Sequence, residues 1–207
     1  MDPPHVTLDE LTDRLVVIGL GSNKLVLKSI EQAKKSHGNQ KRDQGTSYLE
    51  EHIYPVTLDV INYAMSNLIR LSPELVASAL LHDTLEDDSD LTENAFRRKF
   101  GEKVYSIVKP LTKPDYKLYP GITKEEKKMA LNASYFAILK KAHQEAKIIK
   151  LADRLNNLSG IHLSPQPGKM EFYIEETKVF YLSFAKEVSP AYFERIKAKV
   201  EWLEQMN

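Results

Sequence analysis

The chain has 207 residues, 42% of them apolar and 28% charged, which is enough for one large domain with a sizeable core. Lys and Arg number 29 and are matched by 29 Asp and Glu, so bulk charge points neither to a nucleic-acid polymer nor to an acidic membrane as partner. There is no cysteine, which excludes disulfides, thiolate metal sites and cysteine nucleophiles and fits a reducing compartment.

In chain order, nearly every segment reads at helical period and none alternates as a strand does. The initial MDPPHVTLDELTDR has acids and prolines where a secretory signal has a basic and then an apolar segment. No later apolar run reaches the roughly 18 to 20 residues of a membrane span, so a soluble, cytoplasmic protein is expected. Leu11, Leu15 and Val16 begin the first apolar face; Leu25, Leu27, Ile30 and Ala33 line a second helix ended by Gly38. The polar, glycine-bounded GNQKRDQGTS reads as a loop. Ser47-Tyr48-Leu49-Glu50 has capping-box spacing and opens a helix that Pro55 interrupts before TLDVINYAMSNLIRL resumes it.

Ser72-Pro73-Glu74 is a helix start, from which PELVASALLHDTLED reads as one helix. Helical segments over 92–100, stopped by Gly101, and over 103–111 follow. The polar connection TKPDYKLYPGIT then has the length of a binding loop. Thr123-Lys124-Glu125-Glu126 is a second capping box, opening a helix to about residue 141. EAKIIKLADRLNNL is amphipathic, and EFYIEETKVFYLSFAKEV follows the loop HLSPQPGK. Ser189-Pro190 starts a last helix striped by Phe193, Ile196, Val200 and Leu203. The Asn-X-Ser triplets at Asn132 and Asn157 lie in helical patterns of a protein with no export signal and are discounted. The expectation is a single all-α domain over residues 1–207 with about eight to ten helices.

The chemistry concentrates in ALLHDTLEDDSD, residues 79–90. On a helix, residues three and four apart share a face, which relates His82 to Glu86 and Asp83 to Glu86 and Asp87. These groups emerge at the end of a helix whose earlier turns, with Leu75, Val76, Ala79 and Leu80, are core. A hard or borderline divalent ion takes imidazole and carboxylate, and needs more ligands than one helix supplies. Asp153 in KLADRLNNL, with Asn157 one turn later, and His52 before Pro55 are the candidates to complete its shell. Singly, each residue has a plainer reading. His52 reads as a hydrogen-bonded core histidine, Asp88 and Asp90 as a solvated turn or cap, and Asp153-Arg154 as a surface ion pair worth well under ~1 kcal/mol. Those readings leave unexplained the phasing of His-Asp and Glu-Asp on the core side of one helix.

HDTLED resembles the HDxxED motif of the HD phosphohydrolase superfamily, which is built around a His…His-Asp…Asp metal site in a helical domain. The wider pattern is similar to the hydrolase domain of the RelA/SpoT-homologue family, and especially to its small alarmone hydrolases. The basic loop and histidine, KRDQGTSYLEEH, come first; then HDTLED, the threonine segment VKPLTKP, and KLADRLNNL, in order between about residues 28 and 187. His-Asp alone is a weak signal, whereas HDxxED followed by KLADRxxN is strong for this branch. The chain departs from the pattern twice. His52-Ile53-Tyr54-Pro55 places the proline later than the usual His-Pro, and the basic loop is one residue shorter and reads Lys41-Arg42 where Arg-Lys is usual. Both departures border the family's nucleotide pocket and so bear on base preference.

The resemblance implies a stand-alone hydrolase that removes the 3′-pyrophosphate of guanosine tetra- or pentaphosphate, giving GDP or GTP and pyrophosphate. It implies manganese as the cofactor, although the ligand types suit other divalent metals as well. It assigns His52, His82, Asp83 and Asp153 as metal ligands and Glu86 and Asp87 as acid/base groups. Lys41, Arg42, Asn157, Arg154 and Tyr181 fall at substrate-binding positions. Lys113, Lys117, Lys124, Lys127 and Lys128 form a set of cations able to attract a polyphosphate, with solvated helix faces as their plainer role. Two alternatives stay open: an HD hydrolase of another nucleotide, such as an adenosine alarmone or a deoxynucleotide, and a non-catalytic nucleotide-binding module. The oligomeric state also stays open.

Overall fold

Helices begin here where a short polar side chain can take the free N–H groups of a first turn. The computed structural model describes residues 4–206. The first three residues of the MDPPH segment and residue 207, and with them both ends of the expected domain, lie outside the described residues. Thr7 and Glu10 form a capping box on α1 (Leu8–Val17), and Asn23 caps α2 (Lys24–His37). A π-helical turn (Leu49–Ile53) leads into α3 (Tyr54–Ser66). Ser72 caps α4 (Pro73–Leu80), and after a break α5 (Thr84–Asp87) follows. Thr92 caps α6 (Glu93–Phe100), and Gly101 separates it from α7 (Glu102–Val108). The Thr123 box opens α8 (Lys124–Leu139) as the sequence predicts, and α9 is Gln144–Gly160. Next come α10 (Lys169–Glu176), a second π-helical turn (Thr177–Tyr181), α11 (Leu182–Val188) and the Ser189-capped α12 (Pro190–Glu204).

The all-α expectation holds: the described residues contain no strand. A single antiparallel bridge between Lys41 and Ser47 closes the basic loop into a hairpin, turned at Gly45 with φ +81°, a conformation open to glycine. Among the described residues there are twelve α-helical stretches, consistent with the expected eight to ten rods once two rods are seen to break, one between α4 and α5 and one at the π turn between α10 and α11. The first break corrects the reading of PELVASALLHDTLED as one helix. The cause is His82, whose side chain takes the Ala79 carbonyl that the next helical N–H would use.

Other expectations are corrected near the amino terminus. Val16 and Leu27 are 66% and 43% exposed, and Val26 takes the core position beside Ile30 and Ala33. The Ser47 box closes only halfway, with Glu50 N–H 3.4 Å from Ser47 Oγ, and Tyr48 precedes the helix without a side-chain cap. Pro55 does not interrupt the helix either. It sits in the first turn of α3, where its missing N–H is tolerated.

The core forms two clusters. One gathers Leu11, Leu15, Val26, Ile30, Phe96, Phe100 and Val104; the other gathers Tyr135, Phe136, Ile149, Phe184, Ile196 and Leu203. Helices α3 and α4 contribute to both, for example through Val60 and Ile61, and α3 packs on α4 and α9 while α4 packs on α2. His52, in the π turn just before α3, and His82 and Asp83, just beyond α4, are thus carried by the layer between the clusters. No helix among the described residues is long and apolar enough to cross a membrane.

Candidate metal centre

Beyond Leu80 the chain leaves the helix: Leu81 and Asp83 adopt φ/ψ of −108/8° and −99/−6°. In this bend His82 Nδ1 lies 2.8 Å from the Ala79 carbonyl. A carbonyl only accepts, so Nδ1 carries a proton and Nε2 is the nitrogen turned to the interior. His52 is set up from farther away. Its Nδ1 lies 2.6 Å from Asn156 Oδ1 on α9, and Asn156 Nδ2 donates to the Glu51 carbonyl at 3.1 Å.

The two Nε2 atoms converge to 3.2 Å, and Asp83 Oδ2 lies 3.1 Å from each. Both imidazoles are buried, and Tyr48 Oη donates to the same Asp83 oxygen at 2.6 Å. Among the described residues, His52, His82 and Asp83 form a group whose ligand atoms all lie within 4.8 Å of one another. Three electron pairs aimed at one point repel each other unless protons or a cation lie among them, so the donor set fits a divalent ion. Asp153 Oδ1 stands 3.5 Å from His52 Nε2 and flanks this tight group. Its carboxylate is held by Lys150 at 2.8 Å and by Asn157 Nδ2 at 2.5 Å.

The electrostatics divide these acids into two kinds. Burial alone would raise Asp83, but the two imidazoles hold it well below the usual carboxylate range. Burial would lower His82, but the Asp83 and Asp153 charges overcome this and lift it to about 9. Asp153 is likewise held down, by Lys150 against its burial. Glu86 and Asp87 move the other way: burial first and the Asp83 charge second push both up. Both residues are nevertheless exposed, at the edge of the cavity that they help to line. Glu86 Oε2 accepts the Lys113 backbone N–H at 3.0 Å. Asp87 Oδ2 accepts from Gln40 Nε2 at 3.1 Å, and His37 Nδ1 lies 2.7 Å from Gln40 Oε1.

These groups line a cavity of about 320 Å³ whose other lining includes Arg42, Lys113, Lys128, Lys150 and Arg154. Arg42 donates to Asn157 Oδ1 at 3.1 Å and lies over the Tyr48 ring. Tyr181 lines the cavity from a buried position, with the Arg154 guanidinium 4.2 Å from its ring centre. Arg154 is itself committed: it pairs with Glu176 at 2.6 Å and donates to Thr177 Oγ1 and the Tyr173 carbonyl. The plainer reading of Asp153-Arg154 as a surface pair is therefore corrected, because both are buried and each has another partner. Lys41 is exposed and lines an adjoining hollow of about 130 Å³ together with Arg42, Tyr48, Asn157 and Tyr173.

Of the five lysines from the loop and helix start, Lys113 and Lys128 line the cavity, while Lys117 and Lys124 are exposed. Lys113 Nζ donates to Asn132 Oδ1 at 3.0 Å and lies 3.6 Å from Glu176. Asp88 accepts from Ser36 Oγ at 2.6 Å and also caps Asp90 N–H, so it is more than a solvated turn. Sequence reasoning missed Asn132, Asn156 and Glu176, which carry no local signal. Lys150 is different: its i,i+3 spacing to Asp153 is a legible pair.

A family model described as "HD domain" matches residues 29–187. A guanosine-3′,5′-bis(diphosphate) 3′-pyrophosphohydrolase of Aquifex aeolicus is 27% identical over 176 residues, which are 85% of this chain and 23% of that protein. A probable enzyme of the same name from Mycoplasma pneumoniae is 30% identical over 169 residues, 79% of this chain and 22% of that protein. A probable chloroplastic GTP diphosphokinase of Oryza sativa is 28% identical over 81% of this chain and 23% of its own length. The chain thus spans less than a quarter of the length of these relatives. A solved structure, described as a metazoan ortholog of SpoT that hydrolyzes ppGpp and plays a role in starvation responses, aligns with TM-score 0.67 and 21% identity. The alignment covers 87% of this chain and 96% of that one and shows a shared fold.

Proposed function

Because the chain belongs to the HD-domain family, we propose that it is a metal-dependent phosphohydrolase that removes the 3′-pyrophosphate of guanosine tetra- or pentaphosphate. The observation that carries this reading is the convergence of His52 Nε2, His82 Nε2 and Asp83 Oδ2 beside two carboxyls with raised proton affinity, in a cavity with a cationic wall. The names of the Aquifex and Mycoplasma relatives supply the substrate class. His52, His82 and Asp83 hold the ion, with Asp153 beside them as the fourth ligand. Manganese is the proposed ion, since the donors are nitrogen and oxygen without sulfur. When bound, such an ion supplies Lewis acidity, lowering the pKa of water and polarising a phosphoryl oxygen.

The protein's own groups do the rest. Tyr48 donates to Asp83 Oδ2 and so would keep that carboxylate aimed at the site when an ion is bound. Glu86 and Asp87, both pushed up, hold a proton at a carboxyl oxygen and exchange it with water near the reacting phosphorus. Arg42, Lys113 and Lys128 draw the polyphosphate in, and Asn157 bridges Arg42 to Asp153. The hollow that includes Lys41, Tyr48 and Tyr173 receives the nucleoside.

The test is incubation of the protein with Mn²⁺ and a panel of guanosine and adenosine tetraphosphates, with identification of products. Pyrophosphate and GDP from guanosine tetraphosphate are expected. Cleavage of the adenosine compound alone overturns the base assignment, and release of pyrophosphate from none overturns the reaction.

A further inference from the structure

His82 and His52 present the same atom to the centre but are anchored differently. His82 is fixed by a carbonyl of its own turn. His52 depends on Asn156, 104 residues away and 6% exposed. Just before α3, in whose first turn Pro55 has no N–H to give to the preceding turn, the Glu51 carbonyl accepts Asn156 Nδ2 at 3.1 Å. Since a carbonyl cannot donate, the amide nitrogen must face Glu51 and the amide oxygen must face His52. The oxygen in turn requires a proton on His52 Nδ1, which leaves Nε2 free to bind a cation. The Glu51 carbonyl, Asn156 and His52 thus form one hydrogen-bonded chain with one polarity.

We propose that Asn156 is the positioning residue of the metal centre: its side chain, oriented by the Glu51 carbonyl, fixes His52 in the tautomer whose Nε2 binds the ion. This rests on His52 being a ligand, as in the function proposed above. Ligating histidines commonly give their second N–H to such a partner, and losing it weakens metal binding by about 10- to 100-fold.

Two substitutions separate this role from packing. Asn156→Leu and Asn156→Asp both lose the donor to Glu51, so both lower the melting temperature. Only Asn156→Asp keeps an acceptor for the His52 N–H. Manganese affinity, followed by the paramagnetic resonance of the free ion, should drop by about 10- to 100-fold in Asn156→Leu and stay within about threefold of wild type in Asn156→Asp. Equal weakening in both, or in neither, overturns the proposal. A second readout needs neither metal nor substrate. Histidine ¹⁵N spectra of the metal-free protein, followed into alkaline pH, should show His52 protonated at Nδ1 in the wild type and a tautomer mixture in Asn156→Leu. A wild-type His52 protonated at Nε2 overturns the proposal even if the protein hydrolyses the alarmone. A protein that passes both tests but cleaves no tetraphosphate leaves the positioning role standing and removes the function.

Discussion

The two walls of the cavity orient their charged groups by different means. On the acidic wall, His52, His82 and Asp83 are each aimed by a neutral partner: the Asn156 amide, the Ala79 carbonyl and the Tyr48 hydroxyl. On the basic wall, Arg154 and Lys150 are fixed by buried carboxylates, Glu176 and Asp153. Arg42 instead contacts neutral Asn157, Lys128 lies over the rings of Tyr116 and Phe172, and Lys113 shares Glu176 with Arg154 at the longer distance. A neutral anchor aims a group without cancelling its charge, so that charge remains for a ligand. A carboxylate partner turns a cation into scaffold. On this criterion Arg154 and Lys150 are scaffold, Arg42 and Lys128 keep their charge, and Lys113, 3.6 Å from Glu176 and also bonded to Asn132, falls between the two kinds.

The strongest way to break this division is Asp83→Asn. It removes the one carboxylate oxygen within 3.1 Å of both imidazoles, so metal affinity should fall more than the ~100-fold of an outer partner, and activity should vanish with it. Binding titrations check it, and full metal loading of the variant would refute the ligand assignment. Glu86→Gln should keep the metal yet lower kcat by about 10²- to 10⁴-fold, and a fully active variant would show that Glu86 moves no proton.

On the opposite wall, Glu176→Gln should destabilise the protein by about 3–5 kcal/mol in urea unfolding, because it leaves the 4% exposed Arg154 charge unpaired. The same pair predicts a pH dependence. Burial opposes ionisation of Glu176, but Arg154 and Lys113 hold its pKa at about 2, below the ordinary 4.5. The unfolded chain thus binds the proton more readily. The contribution of Glu176 is fully present above about pH 4.5 and is lost as the pH falls through about 2. Glu176→Gln should flatten the acid limb of a stability–pH curve.

The smallest effect sharpens the division. Lys128→Met should raise KM for the tetraphosphate about three- to tenfold with kcat unchanged, and added salt should shrink the difference from wild type. An equal fall in kcat would place Lys128 among the structural cations.

What was legible in the sequence follows the same line. HDTLED and KLADRLNNL are short strings whose spacing carries the information, and His82, Asp83 and Asp153 do gather around His52. The helix caps at Ser72, Thr123 and Ser189 are equally local and form as written. Asn156, Glu176 and Asn132 act through partners 104, 22 and 44 residues away in His52, Arg154 and Glu176, and no periodicity encodes such pairings. The break at residue 81 was hidden for a related reason. PELVASALLHDTLED has helix-forming composition throughout, and only the competition of the His82 ring for the Ala79 carbonyl ends the helix.

The bond from the Lys113 main-chain N–H to Glu86 ties the two walls of the cavity together. In the proposed function, the residue whose ammonium attracts the phosphate also carries, on its backbone, the strut of the proton-handling carboxyl. Trimming that lysine to a shorter side chain leaves the strut intact, whereas deleting one residue from the loop beyond it pulls on charge recognition and proton handling together.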